Sequence, residues 1–373
     1  MNKTQDLLAM AKQVKKSIRS RPKPQTEDKT KLLSTGSTLL NLVCSGRYRG
    51  GLLAGKYYFM VGDSASGKTF FSMSILAEAI LDPQFANYRL IYDNVEEGNL
   101  IDTDALFGPK LTTRIEPPAQ DKNGDPCYSE QIEDFYYHLD DAIACGKPFI
   151  YILDSMDGLS SIAEEDKFQQ HKTAARKGTA APGSYGDGKA IKNSQGIRRM
   201  LSKLRRTGSI LLVLSQTRDN LGFGFEKKTR SGGRALRFYS TTEIWSSVAG
   251  GIKKKVRGKP RQIGTHIKLA TKKNRITGKL HEVQVDIYPS YGIDDIGSCV
   301  DYLVGEGWWT KAGAYIVAKE FKQKLTREKL IAYIENNNKT AKLRSLVGRC
   351  WRQIDDACSV KRKGKYAETL GHV

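Results

Sequence analysis

Eight residues constrain this chain more than any others. Gly62-Asp63-Ser64-Ala65-Ser66-Gly67-Lys68-Thr69 fits the pattern GxxxxGK[ST]. The apolar run Tyr57-Tyr58-Phe59-Met60-Val61 precedes it and predicts a buried strand, and Phe70 to Leu81 follows with helical spacing. Strand, glycine-containing turn and helix in that order build a phosphate cradle. Successive backbone N–H groups of the loop point inward at phosphate oxygens, and the helix N-terminus adds its dipole. The glycines permit backbone angles that other side chains resist. Lys68 is placed to reach the β- and γ-phosphates, and Thr69 to offer its hydroxyl to Mg²⁺. ATP and Mg²⁺ are the expected ligands.

The surrounding pattern predicts the scaffold such a loop needs. From about residue 34 to 300, strand-like and helix-like segments alternate: Leu90-Ile91-Tyr92, a helix over 129–145, Phe149 to Leu153, a helix from Ile191 to Arg206, and Ile210 to Leu214. That alternation predicts an α/β fold with a mostly parallel sheet wrapped by helices. Thr241–Val248, Thr265–Thr271 and Glu282–Ile287 look like strands without intervening helices, which predicts an antiparallel edge. Phe149-Ile150-Tyr151-Ile152-Leu153-Asp154 delivers one carboxylate at the end of a buried strand, where Asp154 can hold the magnesium. Hydrolysis also needs a base or water-positioner. Tyr92-Asp93-Asn94-Val95-Glu96-Glu97 follows a strand expected beside the phosphate loop, and one of its two glutamates is the candidate, Glu96 being favoured.

Charge points to a second ligand. Lys and Arg number 61 against 40 Asp and Glu, a formal balance of +21, which argues for a polyanionic partner. Two stretches break the strand–helix rhythm: residues 163–192 carry Gly, Ala, Ser and Lys with no period, and residues 217–235 hold four glycines and many charges. Long irregular loops within a compact domain are usually functional. In the second, Arg218, Lys227, Lys228, Arg230 and Arg234 could neutralise phosphates. Phe223 and Phe225 could stack on bases, and Gly232-Gly233 could let the backbone approach a strand closely. In the first, Lys172, Arg176, Lys177 and Lys189 are the corresponding cations.

The ends of the chain read differently. Leu7, Met10, Ala11, Val14 and Ile18 form one stripe of a short helix over 4–19, and the charged, proline-containing 19–31 reads as a linker. A lone helix cannot bury such a stripe by itself. Beyond 306, helical patterns at 326–336 and from Leu343 to Ile354 predict a small helical C-terminal domain. Residues 311–373 hold 15 Lys/Arg against 6 Asp/Glu, so this tail is expected to attract a polyanion. The six cysteines form no CxxC pair and the five histidines no HxH or HxxxH pair, so neither a disulfide framework nor a metal centre of those residues is expected. No apolar run approaches the roughly 18 residues of a membrane span, and MNKTQDLLAM lacks a signal-peptide core. The expected location is cytoplasmic, at a nucleoid or in a host cell.

An ordered series narrows the reading further. Ser34-Thr35-Gly36-Ser37 precedes the phosphate loop, and Ser215-Gln216-Thr217-Arg218 closes the fourth strand. Arg230-Ser231-Gly232-Gly233-Arg234-Ala235-Leu236-Arg237-Phe238-Tyr239-Ser240, Lys273-Asn274-Arg275-Ile276 and Lys311-Ala312-Gly313-Ala314 follow in turn. In this order and spacing, over roughly residues 32–316, they resemble the RecA recombinases, phage UvsX-type members included. The resemblance implies a RecA-like ATPase core over 32–305, an N-terminal helix and linker over 1–31 that dock on an adjacent subunit, and a small C-terminal domain over 306–373. It implies that Gln216 senses the γ-phosphate, that 218–235 and 163–195 are DNA-binding loops, and that Lys273 and Arg275 reach a neighbouring subunit's ATP. It also implies head-to-tail filaments on single-stranded DNA, strand exchange with a duplex, and dealings with a single-strand-binding protein and a loader. The acidic segment is one residue longer than the family's Asp-x-Glu, and the first loop is longer than in bacterial RecA. A hexameric helicase and a non-catalytic recombinase paralogue share parts of this pattern. The GGRALRFYS segment favours a recombinase over the helicase, and intact Lys68, Thr69, Asp154 and Gln216 disfavour the paralogue.

Overall fold

Strands that are apolar on both faces need a packed layer on each side. The computed structural model describes residues 30–96, 101–179, 188–219, 228–230 and 233–362, together with Met10, and supplies those layers. In chain order, α1 spans Thr38–Ser45, β1 Tyr57–Gly62, α2 Lys68–Leu81, β2 Arg89–Asn94, β3 Ile115–Glu116, α3 Ile132–Ala144 and β4 Phe149–Asp154. Then come α4 Ile162–Lys177, α5 Gly188–Thr207, β5 Ile210–Asp219, β6 Lys228–Arg230, α6 Gly233–Tyr239, β7 Thr242–Val256, β8 Lys259–Asn274, β9 Glu282–Tyr288 and β10 Gly292–Asp294. The series ends with α7 Asp295–Gly305, β11 Thr310–Ala312, β12 Tyr315–Ala318, β13 Gln323–Thr326, α8 Arg327–Asn336 and α9 Thr340–Ala357. The expected helix over 4–19 and most of the linker lie outside the described residues. No helix among the described residues is long and apolar enough to cross a membrane.

β1 to β10 form one mixed sheet, and the fold class is α/β. Its path runs β10-β9-β8-β7-β1-β5-β4-β2-β3, with β6 paired to β5 off that path. From β7 to β3 the neighbours are parallel. From β10 to β7 they are antiparallel, as the helix-free run of strands predicts. The period of two is visible in the core. Tyr57, Phe59, Val61, Tyr151, Leu153, Leu211 and Val213 face the cluster made with α3 and α5. Tyr58, Met60, Ile150, Ile152, Leu212 and Leu214 face the cluster made with α1 and α2.

Three segments depart from the sequence reading. The described part of 163–192 is largely helical: α4 occupies 162–177, and α5 begins at Gly188. Ser161 and Glu164 close a reciprocal capping box, and Gly178 ends α4 in the left-handed region. Ala174 is the sole buried residue of α4, so the helix carries no apolar stripe for a periodicity test to find. Within 217–235 the described residues are likewise in regular elements. β5 runs on to Asp219, β6 pairs back on it antiparallel with Arg230 opposite Thr217, and the GRALRFY segment is helical. In the C-terminal region, β11 to β13 form a three-stranded antiparallel sheet that helical periodicity did not predict.

The C-terminal elements are pinned by charge as well as packing. Arg327 at the start of α8 bonds both oxygens of Asp301 on α7 at 2.9 Å and lies 3.5 Å from Asp294. Arg344 on α9 donates to Asp295, which also accepts the Thr38 backbone N–H at 2.6 Å. Trp308 and Trp309 give their indole N–H groups to the two oxygens of Glu320, at 2.7 Å each. Leu330, Leu343, Leu346 and Trp351 belong to the same apolar cluster as Leu39 and Leu40 of α1.

Leu212 lies at the sheet centre and is 1% exposed. Leu212→Ala is expected to cost about 2–5 kcal/mol through lost burial and the cavity left behind. The measurement is urea unfolding, with a lower midpoint at unchanged slope.

Candidate functional site

Parallel register decides which strand ends share the site. Gly62 of β1 pairs with Gln216 of β5, and Asn94 of β2 pairs with Asp154 of β4. Leu153 pairs with Val213, which joins the two halves. The C-terminal ends of four strands therefore lie along one edge, where open parallel sheets place their ligand crevice. The loop from Gly62 to Thr69 rises from the middle of that edge.

Two glycines are required there by space. A Cβ on Gly62 would stand 2.5 Å from Ser66 Oγ and 2.6 Å from Ser246 O. Gly67 has φ +82°, and a Cβ on it would meet Ile287 Cδ1 at 2.4 Å. Lys68 Nζ is folded onto the loop, donating to Gly62 O at 3.0 Å and Asp63 O at 2.8 Å. Burial lowers its pKa, opposed by Asp154, Glu96, Asp157 and Asp63. Thr69 Oγ1 donates to Asp154 Oδ2 at 3.0 Å, and Tyr92 Oη donates to the same oxygen at 2.6 Å. Burial raises the Asp154 pKa, partly offset by those two hydroxyls. Thr69 and Asp154 thus present a hydroxyl and a carboxylate together, both hard oxygen donors of the kind Mg²⁺ takes. Among the described residues, no group of three or more His, Cys, Asp or Glu could hold a metal ion.

Glu96 meets the same edge. Its Oε1 accepts from Gln216 Nε2 at 3.1 Å and from the Ser155 hydroxyl. Glu97 lies outside the described residues. The Gln216 backbone N–H donates to Asp157 Oδ2 at 2.6 Å, and the Thr217 hydroxyl donates to Asp63 Oδ1. Sequence reading missed Tyr92, Ser155, Asp157 and the Asp63 side chain as members of this cluster. Their spacing in the chain carries no signal, because β2, β4 and β5 meet only through sheet pairing. It also missed a cavity of about 320 Å³ that opens from Gly67 and Thr69 toward Ile101, Ile267, Ile287 and Pro289. One wall is phosphate-loop backbone and the other is apolar, which suits a ligand with a charged end and a flat apolar end.

Lys273 and Arg275 do not join this cluster. Lys273 on β8 pairs with Glu243 on β7, which pairs with Phe59 near the start of β1, so both lie toward the opposite end of the strands. Lys273 Nζ donates to the carbonyls of Arg237, Phe238 and Ser240 at 2.7 Å each, satisfying the C-terminal end of α6. Arg275 donates to Phe238 O at 2.9 Å and remains exposed. Burial pushes the Lys273 ammonium down to about 8, with repulsion from Arg275 adding to it.

The nucleic-acid candidates are spread over neighbouring elements. Lys172, Arg176 and Lys177 are exposed on the C-terminal half of α4. Lys189 at the start of α5 lies 3.6 Å from Glu164. Arg218 falls in β5 and Lys228 and Arg230 in β6, described by backbone alone. Phe223, Phe225, Lys227 and Gly232 lie outside the described residues. Gly233 opens α6 with φ +80°, where an added Cβ would stand 2.9 Å from Ala190 Cβ on α5, and Arg234 is exposed.

Comparison with known proteins agrees with this layout. The family model described as the RecA N-terminal domain matches residues 181–294. The RecA protein of Caulobacter vibrioides is 23% identical over 308 residues, covering 82% of this chain and 77% of that protein. RecA of a Wolbachia from Drosophila simulans is 26% identical over 318 residues, covering 84% and 79%. RecA of Cytophaga hutchinsonii is 28% identical over 292 residues, covering 76% and 71%. With the ordered motifs carried on a mixed α/β sheet, the chain is similar to RecA proteins over 76–84% of its length.

Proposed function

We propose that this chain is an ATP-dependent homologous recombination protein. It forms helical filaments on single-stranded DNA and promotes pairing and strand exchange with a duplex. One observation carries the reading: the Gln216 amide sits on Glu96 beside the phosphate loop, and β5 continues from Gln216 straight into the cationic 217–235 segment. A γ-phosphate oxygen competes with Glu96 for that amide, so triphosphate chemistry acts on the root of a nucleic-acid loop.

The roles follow from position. The RecA-like P-loop core, residues 32–305, binds ATP with the 62–69 loop and takes the base into the adjoining apolar cavity. Lys68 exchanges the Gly62 and Asp63 carbonyls for β- and γ-phosphate oxygens, a stronger charge-assisted partner. Thr69 and Asp154 hold Mg²⁺, which offsets the phosphate charge. Glu96, already accepting from Gln216 and Ser155, orients the attacking water as general base. Lys273 and Arg275, remote from their own loop, serve the ATP of the next subunit. Cations placed there stabilise developing negative charge, and head-to-tail repetition gives an open helix. Lys172, Arg176, Lys177, Arg218, Lys227, Lys228, Arg230 and Arg234 contact the DNA backbone, while Phe223 and Phe225 stack on bases. Residues 1–31 dock on the adjacent subunit, and the basic 306–373 region gathers duplex DNA.

Two variants test the reading. Lys68→Ala is expected to lower ATP turnover by about 100-fold or more. It should abolish ATP-dependent filaments in electron micrographs while leaving salt-sensitive binding to single-stranded DNA; normal strand exchange by this variant would refute the nucleotide role. Arg275→Ala is expected to lower turnover by about 100-fold or more in DNA-saturated assemblies, as for an arginine supplied in trans. The dilute, unassembled chain should keep its basal rate, and an equal loss in both states contradicts a role across subunits.

A further inference from the structure

The ladder that pairs Gly62 with Gln216 has a consequence one residue further on. Asp63 leaves β1 beside Thr217, where β5 continues, and the Thr217 hydroxyl donates to Asp63 Oδ1. This contact is separate from the one made by Gln216, whose amide goes to Glu96 at the end of β2. We infer that the Asp63–Thr217 hydrogen bond is a second link between the phosphate loop and the DNA-binding segment, with Thr217 as a positioning residue. The inference rests on the proposed function and adds to it a role for Thr217.

The physics acts on Asp63 twice. Its carbonyl accepts Lys68 Nζ at 2.8 Å and Ser66 Oγ at 2.7 Å. An arriving triphosphate draws Lys68 off that carbonyl and places negative charge beside the Asp63 carboxylate, which like-charge repulsion then drives away. Both effects displace the residue that Thr217 holds. Thr217 pairs with Arg230 across the β5–β6 ribbon, so a shift at Thr217 moves both strands of the segment. A carboxylate accepts from a hydroxyl at this position, and valine keeps the shape of threonine without the donor. The root of the segment is thereby held at three points: the Gln216 N–H by Asp157, its amide by Glu96 and the Thr217 hydroxyl by Asp63. Glu96 and Asp157 follow β2 and β4, and Asp63 belongs to the phosphate loop itself.

The test uses the full chain, a fluorescent oligothymidylate and a slowly hydrolysed ATP analogue. Wild-type protein is expected to bind the oligonucleotide at least about tenfold more tightly with the analogue than without nucleotide. In Thr217→Val that ratio is expected to fall to about twofold or less, with affinity for the analogue alone changed by no more than about twofold. Thr217→Ser, which restores the hydroxyl on a smaller side chain, is expected to recover the wild-type ratio. A Thr217→Val protein with the full ratio, or a Thr217→Ser protein as deficient as the valine, overturns the link while the proposed function stands. A wild-type protein whose DNA affinity ignores nucleotide overturns the function and the link together.

Discussion

The parallel register of β1 with its two neighbours is the constraint on which the site depends. Gly62 opposite Gln216 and Ser246 sets the end of β1 level with those two residues. Side chains alternate faces along a strand, so a slip of one residue would turn Gln216 away and put Ser215 in its place. The register is held by apolar interdigitation on both faces. Tyr57, Phe59 and Val61 pack into one layer and Tyr58 and Met60 into the other, and each would be misplaced by the same slip. The chemistry at the edge is therefore stabilised by packing well below it.

The edge itself is an electrostatic compromise. Asp154, Glu96, Asp157 and Asp63 surround a single ammonium, Lys68, which is itself partly desolvated. Hydroxyls share the load: Tyr92 and Thr69 on Asp154, Ser155 on Glu96, Thr217 on Asp63. Among the described residues, these four carboxylates are the acidic groups that act on the Lys68 ammonium. At the far end of the same sheet the charges reverse. Lys273 and Arg275 cap the carbonyls that end α6, a helix that lacks any acidic residue in its first turn. One face of the sheet edge is thus acidic with a phosphate cradle, and the remote corner is cationic.

The elements that sequence reading found best are those with a strong physical period. The double-sided strands at 57–61 and 149–153 emerged within a residue or so of their ends, as did the helix at 326–336. α4 escaped because a helix polar on every side has no stripe; its evidence lay in Ser161 and Glu164, three residues apart at its start. β11 to β13 escaped because they are short and lie within a segment whose neighbours are helical. β7 and β8 proved longer than their apolar cores, running on as an exposed basic ribbon through Lys253, Lys254 and Lys255 that alternation of apolar residues could not reveal. For the site, Lys68, Thr69, Asp154 and Glu96 could be named because each lies in a fixed-length loop or at or just past the end of a recognisable strand, whereas Gln216 was named through the family resemblance.

By itself the sequence determined the α/β alternation, the phosphate loop and the residue types available for its chemistry, because these depend on neighbours within a few positions. Only the tertiary structure decided which of those residues meet. Thr217 reaches Asp63 from 154 positions away, and Tyr92 reaches Asp154 from 62. It also decided that Lys273 and Arg275 stand apart from the loop of their own chain. Local propensity acts along the chain, whereas contacts such as these are chosen by strand order and register, which are set by how the two apolar layers close around the sheet.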